Sequence, residues 1–394
     1  MKKQYLIYSA GNMGITIKRY AEALEMKIVA FYDNKKELQG ERVDDLPVYS
    51  LKELEEYVAR GTDNVIIIGS QVYYEELLQE ITGRFGSKVD IISPDYIQKK
   101  YWDEIVLQKR ERLKECYSIS YHEQVKDWME NLMTEVEYWV RSCASKNGAY
   151  HKGYCDRINR KNTYFKCERL QKKIRDKNVI IDAGCGICSQ YGTVVENGNI
   201  QLFAIDPLAY FYNKINEKSL QIADNPVQFG MFEFLSLFIG QGVADVVLID
   251  NALDHCIDPF KSIIESYITL KMGGILSMRH RRCEAVYEGY MGLHKWNVDV
   301  NDRNELILWN NENMKNVNKE LAQYCDIQVV LHENENRCDE FIDVNIVKKK
   351  ELNLEEFYNR EECIKLTNVI NEIMRLFSSE KINAEFAELL KELE

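Results

Sequence analysis

The chain has 394 residues, of which 45% are hydrophobic and 29% charged. That is the balance of a folded protein with room for two or three domains, and it excludes whole-chain disorder, a collagen-like rod and a small disulfide scaffold. Its 51 basic residues stand against 63 acidic ones, a net charge of -12, which argues against a general nucleic-acid or anionic-membrane binder, since those partners need a basic face.

No run approaches the ~18 apolar residues of a membrane span. Lys2 and Lys3 precede an uncharged stretch that ends at Lys18, a loose mimic of a signal peptide. Gly11, Asn12 and Gly14 interrupt it where an apolar core should run, so it reads as strand, glycine turn and helix. The eleven cysteines begin only at Cys116 and show no paired spacing. Reduced thiols and a cytoplasmic location are expected.

Taken in chain order, residues 1–98 predict a first α/β domain. An apolar strand (Tyr5–Tyr8) runs into Ser9-Ala10-Gly11-Asn12-Met13-Gly14, then a helix, then a second strand ending at Asp33. A helix near Ser50–Arg60, a strand Val65–Ile68, a helix near Tyr73–Thr82 and a strand Val89–Ile92 follow, and Pro94 closes the domain. Alternating strands and helices predict a parallel sheet. Residues 99–170 lose the strand pattern and read as a helical connector or cap, with helical spacing at Val125, Trp128, Met129 and Leu132.

Residues 171–350 predict a second α/β domain. Val179-Ile-Ile leads into Asp182-Ala183-Gly184-Cys185-Gly186, and the next strand ends at Asp206. Both domains thus open on the βαβ nucleotide-binding pattern, with an acid about 20 residues after the glycine loop. A strand near Ala244–Ile249, a helix Phe260–Leu270, the turn Met272-Gly273-Gly274 and a strand Ile275–Met278 come next. Ile327–Leu331 and Phe341–Val347 read as a hairpin. The insertion before it has two short strand candidates, Trp296–Val298 and Glu305–Trp309. Residues 351–394 form a helical tail in which Ile370, Ile373, Met374 and Phe377 make one apolar stripe. The stripe packs on this chain, or serves a homodimer.

Four motifs stand in register across about residues 170–350: Asp-Ala-Gly-Cys-Gly, Ala-Ile-Asp-Pro, Asp-Val-Val-Leu-Ile-Asp-Asn-Ala-Leu-Asp-His and Lys-Met-Gly-Gly-Ile-Leu. In order and spacing they resemble the class I S-adenosylmethionine-dependent methyltransferases. The resemblance implies a parallel sheet that ends in an antiparallel strand, and S-adenosylmethionine as cofactor. It implies that Asp182, Ala183, Gly184 and Gly186 line the methionine and ribose part, and that Asp206 holds the ribose hydroxyls. Pro207 and Leu208, with Met231 and Phe232, would border the adenine; Asn251 and Ala252 would face the methionine. The first domain, over residues 1–98, more weakly resembles the small Rossmann-like domains that precede surface-glycan tailoring enzymes. On that resemblance Ser9, Gly11, Asn12, Met13, Gly14 and Asp33 would hold a nucleotide or nucleotide-sugar; a ligand-free docking module is the alternative.

A hydroxyl acceptor benefits from a base. Three of six histidines fall after strands of the second domain, His255, His280 and His294, and Asp254 is a rival base or an orienting partner. A hydrogen-bonded structural histidine is the competing reading for each. The run Arg279-His280-Arg281-Arg282 suits a phosphate or carboxylate on the acceptor, or else a solvated loop. Tyr287, Tyr290 and Trp296 suit a stacking wall or a packed core. Glu137, Tyr138, Trp139 and Arg157 are lid candidates. Cys185 and Cys188 form a lone CxxC, which lacks the two further ligands zinc would want, and no metal is expected.

The leading expectation is a cytoplasmic O-methyltransferase acting on a sugar or related polar small molecule in surface-polysaccharide or glycan biosynthesis. Its fold is expected to be α/β, with two Rossmann-like parallel-sheet domains, a helical linker and C-terminal helices. A regulatory protein that has lost catalysis, and an N- or C-methyltransferase on the same fold, are the rivals.

Overall fold

Apolar runs buried on both faces dictate parallel strands, and the chain uses them twice. The computed structural model describes residues 3–60, 64–113, 115–158, 163–170, 173–219, 226–334, 339–358 and 360–393. They divide into two units. One comprises Met1–Lys114 with Val286–Gly289 and Glu333–Asp339; the other comprises Glu115–Ala285, Tyr290–His332 and Glu340–Glu394.

In the N-terminal unit the strands are β1 (Gln4–Tyr8), β2 (Ile28–Tyr32), β3 (Arg42–Val43), β4 (Leu46–Tyr49), β5 (Asn64–Ile68) and β6 (Asp90–Ile92). They order as β3-β4-β2-β1-β5-β6. All neighbours are parallel except β3 and β4. Strand alternation sorts the side chains onto two faces. Leu6, Tyr8, Ala30, Ile66 and Ile68 pack with Leu54, Tyr57 and Ile81. Ile7, Phe31 and Ile67 pack with Ile17, Tyr20, Ala21 and Ile97. The result is a sheet with helices on both sides. The capping box of Ser50 and Glu53 starts the helix Leu51–Ala59. Pro94 does not close the unit as expected. Ser93 caps a helix Pro94–Tyr101 and Pro94 takes its first turn, where a missing N–H costs nothing.

In the C-terminal unit the strands are β7 (Val179–Ala183), β8 (Val194–Val195), β9 (Gly198–Asn199), β10 (Gln201–Asp206), β11 (Gln228–Phe229), β12 (Ala244–Asp250), β13 (Leu270–Arg281), β14 (Asn297–Val300), β15 (Leu306–Trp309), β16 (Met314–Asn316), β17 (Cys325–His332) and β18 (Phe341–Lys348). The main sheet orders as β11-β10-β7-β12-β13-β18-β17. It is parallel from β11 to β13, and β18 pairs antiparallel with both β13 and β17. The chain runs outward from β7 to β10 and β11, then returns to β12 on the other side. The carboxyl ends of β7 and β12 therefore flank a topological switch point, where open α/β sheets bind ligands.

The expected turn at Met272-Gly273-Gly274 lies inside one long strand. Register jumps from Ala244↔Leu270 to Val246↔Ile275, so residues between loop out as a bulge, and Gly273 takes φ 77 to allow it. The insertion has a third strand, β16, beside the two expected. Helix Tyr121–Tyr138 buries Tyr121, Val125, Trp128, Leu132 and Val136. That face shares a core with Val369, Ile373 and Phe386 of the tail. Met374 leaves the expected stripe: it is 51% exposed while Ile373 is fully buried.

Candidate functional site

The glycine loop after β7 is built to bring backbone close. Gly184 and Gly186 have φ 67 and 63, a left-handed conformation that costs a side-chain-bearing residue. A Cβ on Gly184 would lie 2.5 Å from the Phe232 ring and 2.6 Å from Ala252 Cβ; one on Gly186 would lie 2.7 Å from the Trp139 indole. Phe232, Ala252 and Trp139 thus close on the loop. The Arg157 guanidinium donates to the carbonyl oxygens of Cys185 and Cys188, 2.9 Å each, which pins the far side. Of the lid candidates, Trp139 and Arg157 reach the loop, while Tyr138 is exposed.

Asp206 ends β10 beside this loop. Its Oδ2 accepts from Gly186 N–H at 3.0 Å and its Oδ1 from Leu208 N–H at 2.9 Å. Each carboxylate oxygen has a second lone-pair direction, so a diol can still be accepted. Burial pushes its carboxyl up to about 7 against those two bonds. Asp182, at the end of β7, is also pushed up to about 7 by burial, and its Oδ2 is buried with no hydrogen-bond partner. Ala183 and Met231 are buried within the same region, and Pro207 is half-buried. Cys185 and Cys188 are buried and are not joined in a disulfide.

Across the switch point, Asn251 takes φ 52, and its N–H donates to the Arg279 carbonyl at 2.7 Å. Its side chain is exposed, and Oδ1 accepts from Arg281 N–H at 2.9 Å. Asp254 and His255 follow in a single 3₁₀ turn, Leu253–His255. Asp254 Oδ2 lies 2.7 Å from His294 Nδ1 and 3.6 Å from His255 Nε2, and the two ring nitrogens are 3.1 Å apart. Burial pushes the Asp254 carboxyl up, but the neighbouring His255 and the hydrogen-bonded His294 carry it down to about 2. Three of the four expected catalytic residues therefore meet. His280 lies on β13, 1% exposed, its Nε2 without a partner, and burial holds its imidazole down at about 4. It is a neutral ring behind the cluster.

Two of the three arginines in the basic run are locked onto acids, while the Arg281 side chain is 40% exposed with Glu284 at 3.4 Å. Arg279 forks onto Asp343 (2.7 and 2.8 Å), and buried Arg282 joins Asp299 (2.6 Å) to Glu340 (2.8 Å). Asp343 of β18, Glu340 just before it and Asp299 of β14 supply these acids, so the guanidiniums of Arg279 and Arg282 act as struts. Of the expected aromatic wall, Tyr290 and Trp296 border one cavity and Tyr287 does not. Trp296 is a core residue tilted against Tyr117 at 5.6 Å. Tyr287 belongs to the N-terminal unit, where it stacks on Trp102 at 5.9 Å. Tyr290 takes φ 58 and accepts from Asn297 Nδ2 at 3.0 Å.

Sequence reasoning passed over Asp250, whose carboxylate gathers Arg169, Gln190 (2.7 Å) and Tyr191 at the end of β12. Its place directly before Asn251 was the available signal. Glu284 was missed as well. Its Oε2 is buried without a partner, and burial, then the charge of Asp254, pushes the carboxyl up to about 7.

In the N-terminal unit, Asp33 Oδ2 accepts from Ala10 N–H at 2.9 Å and Oδ1 from Lys35 N–H at 3.0 Å. Gly14 packs helix on strand: a Cβ there would lie 2.0 Å from the Ser9 carbonyl oxygen. A Cβ on Gly11 would meet Ser9 Oγ at 3.8 Å, an ordinary contact, Ser9 takes φ 123, and Asn12 and Met13 begin the helix Asn12–Ala23, which has no side-chain cap.

Strand order, with an antiparallel last pair, gives the C-terminal unit the class I methyltransferase fold. No family model and no curated protein matches the chain. Several solved structures are similar to it. One is a SAM-dependent methyltransferase from Methanosarcina mazei, at 14% identity over 48% of this chain and 100% of that one, TM-score 0.32. Another is the N-methyltransferase NodS from Bradyrhizobium japonicum in complex with S-adenosyl-L-homocysteine, at 10% identity over 46% and 82%, TM-score 0.31. A third is PH0226 from Pyrococcus horikoshii, at 12% identity over 54% and 98%, TM-score 0.32. The chemistry is therefore read from the side chains.

Proposed function

We propose that the C-terminal unit transfers a methyl group from S-adenosylmethionine to a hydroxyl of a sugar or related polar small molecule, in surface-polysaccharide or glycan assembly. The observation that carries this is the pair of left-handed glycines at the switch point beside a buried acid, Asp206, at the end of the adjoining strand.

The residues fit the donor. Asp182 keeps an orphaned buried oxygen, and the loop has no room for a Cβ at either glycine. When bound, S-adenosylmethionine supplies a methyl group made electrophilic by its sulfonium. Asp206 would hold the ribose hydroxyls, Phe232 and Trp139 would shield the loop from water, and Asn251 and Ala252 would flank the methionine part. Asp254, His255 and His294 form the acceptor-side polar centre, where a hydroxyl is held and relieved of its proton.

A cavity of 330 Å³ adjoins that centre, bordered by Cys256 and Lys295, the next residues after His255 and His294. Trp128 and Trp296 line it with Gln124, Asn310 and Asn311, and Gln124 Oε1 is buried without a partner. Aromatic faces beside amide groups suit a polyhydroxylated ring. On the same reading, the loop Ser9–Gly14 with Asp33 takes a nucleotide or nucleotide-sugar at the uncapped helix start.

The test is transfer of labelled methyl from S-adenosylmethionine to a panel of sugars and nucleotide-sugars. Transfer to a sugar hydroxyl, falling at least about a hundredfold in Asp254→Asn, is expected. Transfer only to amine acceptors would overturn the acceptor assignment.

A further inference from the structure

We propose that Asp254, His255 and His294 bind a divalent transition-metal ion of the zinc, cobalt or nickel kind through Asp254 Oδ2, His255 Nε2 and His294 Nδ1. All three atoms lie within 4.8 Å of one another.

A hydrogen-bond relay does not explain their arrangement. In a relay, the middle histidine uses its two ring nitrogens for its two partners. Here one nitrogen, His294 Nδ1, faces both: the Asp254 carboxylate at 2.7 Å and His255 Nε2 at 3.1 Å. A ring nitrogen offers either one hydrogen or one in-plane lone pair. It cannot serve a carboxylate and a second imidazole at full strength together. Three ligand atoms converging on one point is what a metal ion requires.

The separations fit as well. Ligands about 2.1 Å from a metal stand about 3.0 Å apart in an octahedron and about 3.4 Å apart in a tetrahedron. The three separations, 2.7, 3.1 and 3.6 Å, span both. Two imidazoles and one carboxylate favour borderline transition ions over magnesium or calcium, which take oxygen ligands.

A second observation points the same way. Asp254 is 1% exposed, yet its Oδ1 has no hydrogen-bond partner, and neither has Oε2 of Glu284, which is 6% exposed. Glu284 lies within electrostatic reach of both Asp254 and His294. Buried orphaned carboxylate oxygens beside a nitrogen pair are costly unless a cation is there to meet them. The ligands come from the turn after β12 and from the insertion before β14, so the ion would tie the insertion to the sheet. Its remaining positions would be open to water or to an acceptor hydroxyl. That last role rests on the function proposed above; the binding itself does not.

The experiment strips the full-length chain with a chelator, then titrates it with Co²⁺ without S-adenosylmethionine and follows visible d–d absorption and bound metal. One Co²⁺ per chain is expected, with affinity falling at least about tenfold in His294→Ala and in Asp254→Asn. His151→Ala, remote from the cluster, is the control and should bind as wild type. X-ray absorption of the wild-type zinc form reads the ligands directly, whether or not a variant folds. Imidazole scattering at about 2.0–2.1 Å without sulfur is expected. Sulfur ligation, binding well below one ion per chain, or unchanged affinity in a folded His294→Ala would overturn the proposal. Calorimetric S-adenosylmethionine binding to the metal-free chain separates this outcome from failure of the donor site.

Discussion

Gly184→Ala tests the loop on which the donor site depends. The new residue would have to hold φ 67, at a cost of about 1–2 kcal/mol. Its Cβ would also stand 2.5 Å from the Phe232 ring and 2.6 Å from Ala252 Cβ. The ring edge can swing, but Ala252 has no rotamer to yield, so the backbone after β12 must move. Overpacking of this kind costs about 1–3 kcal/mol. Together the loss is about 2–5 kcal/mol. Gly153→Ala is the matched control, a helical glycine in the same unit with nothing within 4 Å of its Cβ. It should stabilise by about 0.5–1 kcal/mol. Urea unfolding followed by tryptophan fluorescence suits the comparison, because Trp128, Trp139, Trp296 and Trp309 all belong to the C-terminal unit and only Trp102 to the other. A Gly184→Ala transition within about 0.5 kcal/mol of wild type would refute the close approach of Phe232 and Ala252 to this loop.

Two further outcomes follow from buried charge. Asp182 and Asp206 are both raised from 3.8 to about 7 by burial. A raised carboxyl favours the folded state below its unfolded value and loses that advantage as pH rises through the folded one. The ligand-free protein should therefore lose stability between about pH 4 and pH 7, by as much as about 4 kcal/mol per group. Melting temperature against pH reads this, and Asp206→Asn should flatten the slope; stability that rises across the window contradicts it. Arg282→Met leaves Asp299 and Glu340 as uncompensated buried charges, and about 3–5 kcal/mol of stability should go with it. An unchanged urea midpoint would mean that Arg282 is not a strut.

Local chemistry was legible in the sequence where it repeats a local rule. Gly184, Gly186 and Asp206 lie on the single passage from β7 to β10, so spacing alone could bring them together, although the helix of the expected βαβ pattern does not form there and the short strands β8 and β9 stand in its place. Asp254 and His255 are adjacent in sequence, but their meeting with His294 is a tertiary fact carried by a 40-residue excursion through β13 and the insertion. Nothing in the sequence says that His280, between Arg279 and Arg281, is buried on the strand that pairs with β18. The run Arg279–Arg282 misled for the same reason. Its partners Asp299, Glu340 and Asp343 are all distant in sequence, and the antiparallel return of β18 brings two of them home. Met272-Gly273-Gly274 carries ordinary turn residues, and only the pairing of β12 with β13 converts them into a bulge.

Calorimetric titration of the full-length chain with S-adenosylmethionine, repeated on Asp206→Ala, tests the donor site most directly. A single saturable site is expected in the wild type, and an affinity reduced at least about tenfold in the variant, as charge-assisted bonds to two ribose hydroxyls are lost. No binding by the wild type, or equal binding by a folded Asp206→Ala, would contradict a methyl-donor site at this loop.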